Sequence, residues 1–295
     1  MPQNAVDTGL VDFVLAPGDI VSTLSDYVAR IRNEVGPAVS DETSAEDLTR
    51  ILKLLKDRTG RDYSLYKQST VRRRIQRRMS INKIASPQEY MELLQDNTKE
   101  AERLAREMLI GVTSFFREPD AFEALKDQAL KKLVANKDAD APIRIWVPGC
   151  STGEEAYSLA IVLHELRREM GKDSLKAQIF ATDLDTDALE EARNGRYPEN
   201  IAADVSKNRL ERYFRAIDGF YQVRQSIREE VVFAPHNLLT EPPFSQMDAI
   251  SCRNVLIYLQ RDAQQKMLDL FAWGLKQDGY LLLGSSDSVG DRDEY

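Results

Sequence analysis

The sequence predicts an α/β protein: a small all-helical domain followed by a doubly wound, mostly parallel sheet with helices on its faces. Three observations carry this. Over residues 44–109, apolar side chains recur at helical spacing and no stretch alternates. After Pro142 short β-rich runs alternate with helical patterns, the order expected of a parallel sheet. The length, 295 residues with 42% hydrophobic and 30% charged, suits more than one domain with a full core.

The elements follow in order. Ser44 and the acids Glu46 and Asp47 read as a helix start, Leu48, Ile51, Leu52 and Leu55 as its buried stripe, and Gly60 as its stop. Val71, Ile75 and Met79 predict a second helix with a narrow apolar stripe and its arginines facing water. Ser86-Pro87-Gln88-Glu89 predicts a third, with Pro at N1 and a capping-box Glu. Ala101, Leu104, Ala105 and Met108 mark a fourth. Residues 143–147 form the first strand, 154–170 a helix closed by Gly171, and 178–181 a second strand. A helix then ends at Asn194-Gly195, and further strands are expected at 231–233, 247–251 and 280–283.

Composition excludes several classes. No run of 18 apolar residues exists, and the amino terminus lacks a basic start and apolar core, so neither membrane spanning nor secretion is supported. Cys150 and Cys252 make no disulfide framework and fit a reducing cytoplasm. The net charge of −8 argues against a dedicated nucleic-acid binder, yet it is unevenly spread. Residues 61–83 hold eight bases and one acid, a net +7, which leaves −15 for the rest.

The chemistry is expected at the turn after the first strand, Pro148-Gly149-Cys150-Ser151-Thr152-Gly153. Its G-x-x-x-G spacing is not the dinucleotide fingerprint. Glu154 and Glu155 at the helix start would repel a pyrophosphate and suit a ligand with a positive charge. Asp183, ending the next strand, is placed to accept ribose hydroxyls. A ribose, a cation and no phosphates describe S-adenosylmethionine better than NAD or ATP. The same acids could instead serve only the helix macrodipole. No His, Cys, Asp or Glu cluster has metal-ligand spacing. His164 reads as structural, and His236 adjoins the expected pocket without reading as a base. One of Phe115 and Phe116 is expected in the core.

IWVPGCSTGEEAYS (145–158), TSFFRE (113–118), ATDLD (181–185), NLL (237–239) and CRNVLIY (252–258) stand in order along the chain. Together they resemble the chemotaxis receptor methyltransferases, the CheR family of protein-glutamate O-methyltransferases. The resemblance implies an all-helical N-terminal domain and a Rossmann-like S-adenosylmethionine-dependent methyltransferase domain with a small inserted β-subdomain. It implies domains over 41–112 and 113–295, the insertion at about 205–232. Residues 1–40 resemble the C-terminal end of a methylesterase (CheB family) domain and would be a remnant and linker, so a fragment of a longer fusion is expected. The family continues past Ser286 with a final strand, which this chain would lack.

Residue by residue, the resemblance assigns the cofactor to Thr113, Arg117, Gly149, Gly153, Glu155, Asp183, Asn237, Leu238, Cys252, Arg253 and Asn254. It gives catalytic roles to Arg117 and Tyr258. Where the family usually carries Asn two residues before Thr113, this chain has Gly111. Arg72, Arg73, Arg74, Arg77 and Arg78 would meet the Glu-rich methylation helices of a chemoreceptor. The rivals are a solvated face or phosphate binding. The inserted hairpin around Gly219 is short, so a receptor's C-terminal tether peptide is not expected to bind. The implied activity is methyl-ester formation on receptor glutamates in the cytoplasm, without membrane insertion or nucleic acid. S-adenosylhomocysteine would be the product. The alternatives are a catalytically weak module that senses the two cofactor forms, or a methyltransferase for small acids or RNA.

Overall fold

Helix α1 (Ala45–Thr59) starts where Ser44 Oγ accepts the Asp47 N–H at 3.0 Å, and stops at Gly60 with φ +70°. It buries Leu48, Ile51 and Leu55. Helices α2 (Gln68–Ile81), α3 (Pro87–Asp96) and α4 (Thr98–Met108) follow, with Ala101, Leu104, Ala105 and Met108 turned inward from α4. The capping box expected at Ser86 does not form: its side chain makes no cap bond, and Pro87 alone sets the first turn.

A second expectation also fails in α2. Arg78 does not face water but is 4% exposed. Its Nε and Nη2 donate to Glu100 Oε1 and Oε2 at 2.9 and 2.6 Å, and its Nη1 to Glu107 at 3.1 Å. The reason is angular. Position 78 follows Val71 by seven and Ile75 by three, which puts it on the apolar stripe rather than beside it. Glu100 also accepts the Tyr90 hydroxyl and Asn82 Nδ2, each at 2.9 Å.

This is a computed structural model, and it describes residues 15–22, 24–25, 43–109, 111–138 and 140–287. The chain divides into two compact units, Met1–Met108 and Leu109–Tyr295. Most of the residues read as a methylesterase remnant, and any strand beyond residue 287, lie outside the described residues.

The second unit opens on α5 (Pro119–Leu125), which runs through one π turn (Lys126–Leu130) into α6 (Lys131–Asn136). The sequence reading assigned no element here. Strands β1 (Ile143–Pro148), β2 (Ala177–Asp183), β6 (Val231–Pro235), β7 (Met247–Cys252) and β8 (Leu275–Leu283) form one parallel sheet in the order β6-β2-β1-β7-β8. β8 begins five residues before the expected strand, because Asp278 at φ +65° lets it bulge and resume its register at Tyr280. Helix α7 (Glu154–Glu169) is buried along most of its length, and α8 (Thr186–Asn194) ends at left-handed Gly195.

Between α8 and β6 lies a three-stranded antiparallel sheet, β3 (Arg196–Pro198), β5 (Phe220–Val223) and β4 (Phe214–Ile217). Its first strand precedes residue 205. Asp218 and Gly219, both at positive φ, make the two-residue hairpin turn. Helices α9 (Lys207–Tyr213), α10 (Gln225–Arg228) and α11 (Arg261–Gly274) complete the unit.

At the start of β7, Asp248 accepts Lys137 Nζ at 2.6 Å, Lys276 Nζ at 2.8 Å and the Arg144 N–H at 2.7 Å. This tie fixes the foot of the sheet. The opposite end, where the chain turns from β1 one way and from β7 the other, is the switch point where ligands bind in such sheets.

Candidate functional site

The turn from β1 into α7 is held by Thr182, whose carbonyl accepts the N–H groups of Gly149 and Cys150 at 2.7 and 3.0 Å. Gly149 and Gly153 sit at φ +71° and +92°. A Cβ on Gly149 would fall 2.5 Å from Val255 Cγ2, and one on Gly153 2.9 Å from Ala192 Cβ and 3.0 Å from the Phe233 ring. Both glycines therefore shape and pack the turn, and neither turns its hydrogen face toward open space.

Two carboxylates stand at the rim. Asp183, at the end of β2, accepts the Ser151 N–H at 2.7 Å and the Asp185 N–H at 2.9 Å. Burial pushes it above the usual carboxylate range, against the pull of these bonds. Glu155 accepts Ser251 Oγ at 2.6 Å and lies 3.5 Å from Arg253 Nη1. Burial raises it too, with Arg253 opposing. Glu154 does not join them. It takes the Thr152 hydroxyl at 2.7 Å, and after burial the charges that raise it are Glu191 and Asp204. The two adjacent acids thus diverge, as a 100° step along a helix requires.

The segment 113–118 makes a strained turn over the same end, with Phe116 at φ +50° and Glu118 at φ +59°. Each such residue costs about 1 kcal/mol or more. Phe115 and Phe116 are both buried, where one was expected. The Phe116 N–H donates to Ser158 Oγ at 3.0 Å, and the Arg209 guanidinium lies 4.1 Å over its ring while pairing twice with Glu165. Arg117 itself is half-buried, with Nη1 on the Val112 carbonyl at 2.8 Å. Thr113 is half-buried beside it. Ser151 Oγ donates to the Gly111 carbonyl at 3.4 Å, and a Cβ on Gly111 would stand 3.0 Å from that hydroxyl.

In the loop after β7 two of the residues expected at the cofactor have buried side chains. Arg253, expected on the cofactor, has a side chain only 1% exposed. Its Nη2 donates to the Arg117 carbonyl at 2.7 Å and to Glu118 Oε2 at 3.1 Å. It is an internal tie between Glu118 and Glu155. Cys252 is wholly buried with its thiol pushed up by burial, so its sulfur belongs to the core. Asn254 is half-buried at φ +58°, and Tyr258 is half-buried in the 3₁₀ turn Leu256–Tyr258.

On the other flank the His236 N–H donates to the Asp183 carbonyl at 3.1 Å, which brings half-buried Asn237 and Leu238 alongside Asp183. His236 is engaged with the Pro242 carbonyl at 3.0 Å and stands edge-on to Trp146. His164 meets the Tyr213 hydroxyl at 3.3 Å and is lowered by burial, as a structural histidine would be. The supports Ser151, Ser251, Glu118 and Arg209 were not foreseen. Ser151, inside IWVPGCSTGEEAYS, and Glu118, inside TSFFRE, lay in motifs that could have pointed to them.

The first unit carries the basic face separately. Arg73 is exposed, Arg72 and Arg74 are half-buried, and Arg72 donates to the Thr43 carbonyl. Arg77 lies 3.5 Å from Glu107. Arg78 is withdrawn from this face by its burial.

Comparison with known proteins decides the family. Residues 111–295 match the CheR methyltransferase SAM-binding domain, and residues 46–109 the CheR methyltransferase all-alpha domain. The chain belongs to the CheR family. It is 34% identical over 250 residues to the chemotaxis protein methyltransferase of Escherichia coli, covering 81% of this chain and 83% of that protein. The corresponding protein of Borreliella burgdorferi is 32% identical over 251 residues, covering 83% and 88%. A 104.1 kDa protein encoded in the hypE 3′ region of Rhodobacter capsulatus is 38% identical over 312 residues, covering 98% of this chain. The chain spans about a third of that relative's length, 33%.

CheR domains take S-adenosylmethionine, and the donor set here fits it. Glu155 and Asp183 are anions raised by burial, so a ligand with positive charge relieves them, whereas a phosphate would add to the repulsion. Among the described residues no group of three or more His, Cys, Asp or Glu could hold a metal ion, and no helix is long and apolar enough to cross a membrane.

Proposed function

We propose that the chain transfers the methyl group of S-adenosylmethionine to glutamate carboxylates of methyl-accepting chemotaxis receptors, giving methyl esters in sensory adaptation. What carries this reading is convergence. Segments 113–118, 149–155, 183–185, 237–239 and 252–258 lie at one end of one sheet; they include the carboxylates Glu155 and Asp183, and Arg117 and Tyr258 belong to two of them.

S-adenosylmethionine supplies the electrophilic sulfonium methyl. Asp183 accepts ribose hydroxyls, Glu155 faces the cationic part, and Asn237 and Leu238 line the adenine. Gly149 and Gly153 shape the turn beneath, with Thr113 and Asn254 at the rim. The attacking glutamate has a pKa of about 4.3 in water and is already ionised at neutral pH. No base is needed, in keeping with His164 and His236 being engaged elsewhere. Alignment and exclusion of water remain, at best about 7–11 kcal/mol. Arg117, anchored through one nitrogen on Val112, keeps further N–H groups to clamp a carboxylate, and Tyr258 positions the reacting oxygen.

Arg72, Arg73, Arg74 and Arg77 offer complementary charge to acidic receptor helices, in keeping with a reaction on the cytoplasmic part of a receptor. The long Rhodobacter relative supports a chain that works beside further domains. Incubation with methyl-labelled S-adenosylmethionine and receptor-bearing membranes tests the reading. Base-labile label on receptor protein is expected. Binding without transfer would instead favour a cofactor-sensing module, and label confined to RNA or a metabolite a different substrate class.

A further inference from the structure

Asp287 lies in the turn that follows β8 and belongs to none of the segments assigned above. Its carboxylate accepts three backbone N–H groups: Asn254 at 2.6 Å and Gly284 at 3.0 Å on Oδ2, and Ile257 at 3.1 Å on Oδ1. Two of these donors belong to the loop that carries Asn254 and Tyr258. Asn254 in that loop sits at φ +58°, in the left-handed region that asparagine tolerates. The turn carrying Asp287 also fits closely. A Cβ on Gly284 would fall 2.8 Å from Asn254 Nδ2 and 2.9 Å from both Asn254 N and Asp287 Oδ2. Next along the same turn, Ser285 Oγ donates to Glu118 Oε1 at 3.3 Å, and Glu118 adjoins Arg117.

We infer that Asp287 is a positioning residue for methyl transfer: through the Asn254 and Ile257 amides it holds the loop that presents Tyr258 to the reacting carboxylate. The inference rests on the function proposed above. A carboxylate with both oxygens engaged fixes the loop at two points three residues apart, and hydrogen bonds to a charged acceptor are the stronger kind. Asparagine cannot replace it. Its single carbonyl serves one side of the clamp and turns an NH₂ group toward an N–H on the other. Asp183 and Asn237 lie on the β2 and β6 flank and do not touch the clamp, so the cofactor's main contacts are independent of it.

The test uses the full chain with Asp287→Ala and Asp287→Asn, each assayed for methyl transfer to receptor-bearing membranes. S-adenosylhomocysteine affinity is measured by calorimetry, and amide exchange over residues 253–259 by mass spectrometry. Both variants should exchange faster in that segment and lose about 10- to 100-fold in kcat, the scale of a small misplacement at a reacting centre. Cofactor affinity and receptor KM should stay within about threefold, on the same estimate that the loss lies in orientation rather than binding. Wild-type kcat in either variant would overturn the inference, and so would kcat and cofactor affinity falling together with the melting temperature. If the unaltered protein fails to methylate receptors, the function proposed above fails. The exchange data then decide separately whether Asp287 holds the loop.

Discussion

Asp183 and Glu155 are carboxylates kept where charge is disfavoured, and their pH behaviour reports on the site. Burial raises both above the ordinary range, so each holds its proton to a higher pH than in an unfolded chain. The sign follows directly: the stability these groups contribute is fullest at acid pH and is lost as pH rises through their raised values. The ionised forms are the ones that accept hydrogen bonds from a ribose or face a cation. Cofactor affinity should therefore weaken on acidification, starting above the usual carboxylate pKa of about 4. Calorimetric titration with S-adenosylhomocysteine from neutral to mildly acid pH checks this, and a flat profile would count against the assignment. Asp183→Asn should weaken binding about 10- to 100-fold at neutral pH, the scale of a lost hydrogen bond to a charged group. Sequence reading found Asp183, because a strand ending in Asp after a glycine turn states its own chemistry. The residues alone left Glu154 and Glu155 equivalent, and only the family resemblance singled out Glu155, since adjacency in sequence hides a 100° turn about the helix axis.

Helix α2 shows what a linear pattern can and cannot convey. The apolar stripe at Val71, Ile75 and Met79 was legible, and with it the inward position of Arg78, but the α4 carboxylates that neutralise it there were not. Reversing Arg73 and Arg77 to Glu should raise the apparent KM for receptor several-fold and steepen at low salt, with cofactor affinity unchanged. Steady-state methylation at two ionic strengths measures it, and unchanged receptor kinetics would remove α2 from the interface. The inserted hairpin turns at Asp218-Gly219 in only two residues. A receptor tether peptide should give no calorimetric binding signal, and a measurable affinity would refute this. The run from Pro119 to Asn136 went unread because its π turn breaks the 3.6-residue period.

Across the whole molecule, the net −8 conceals a basic helix in one unit and an acidic remainder. The alternating order of strands and helices was readable from β1 to α8 and again at β6, β7 and β8. The ties that fix the sheet were not, since Lys137, Asp248 and Lys276 lie far apart in sequence. Burial would raise Asp248, but the hydrogen bonds from Lys137 and Lys276 prevail and hold it below the ordinary range. Its contribution is present above about pH 4 and is lost as pH falls through the depressed value. Asp248→Asn should cost about 3 kcal/mol at neutral pH by leaving a nearly buried lysine uncompensated, and less in acid. Thermal melts at the two pH values test this. The central claim is that one methyl moves from cofactor to a receptor carboxylate, and a single-turnover experiment tests it most directly. Protein loaded with methyl-labelled S-adenosylmethionine is mixed with receptor-bearing membranes, and methanol released by alkali is counted against S-adenosylhomocysteine formed. Equal amounts are expected. S-adenosylhomocysteine appearing without base-labile methyl on protein, or no turnover by the loaded protein, would contradict it.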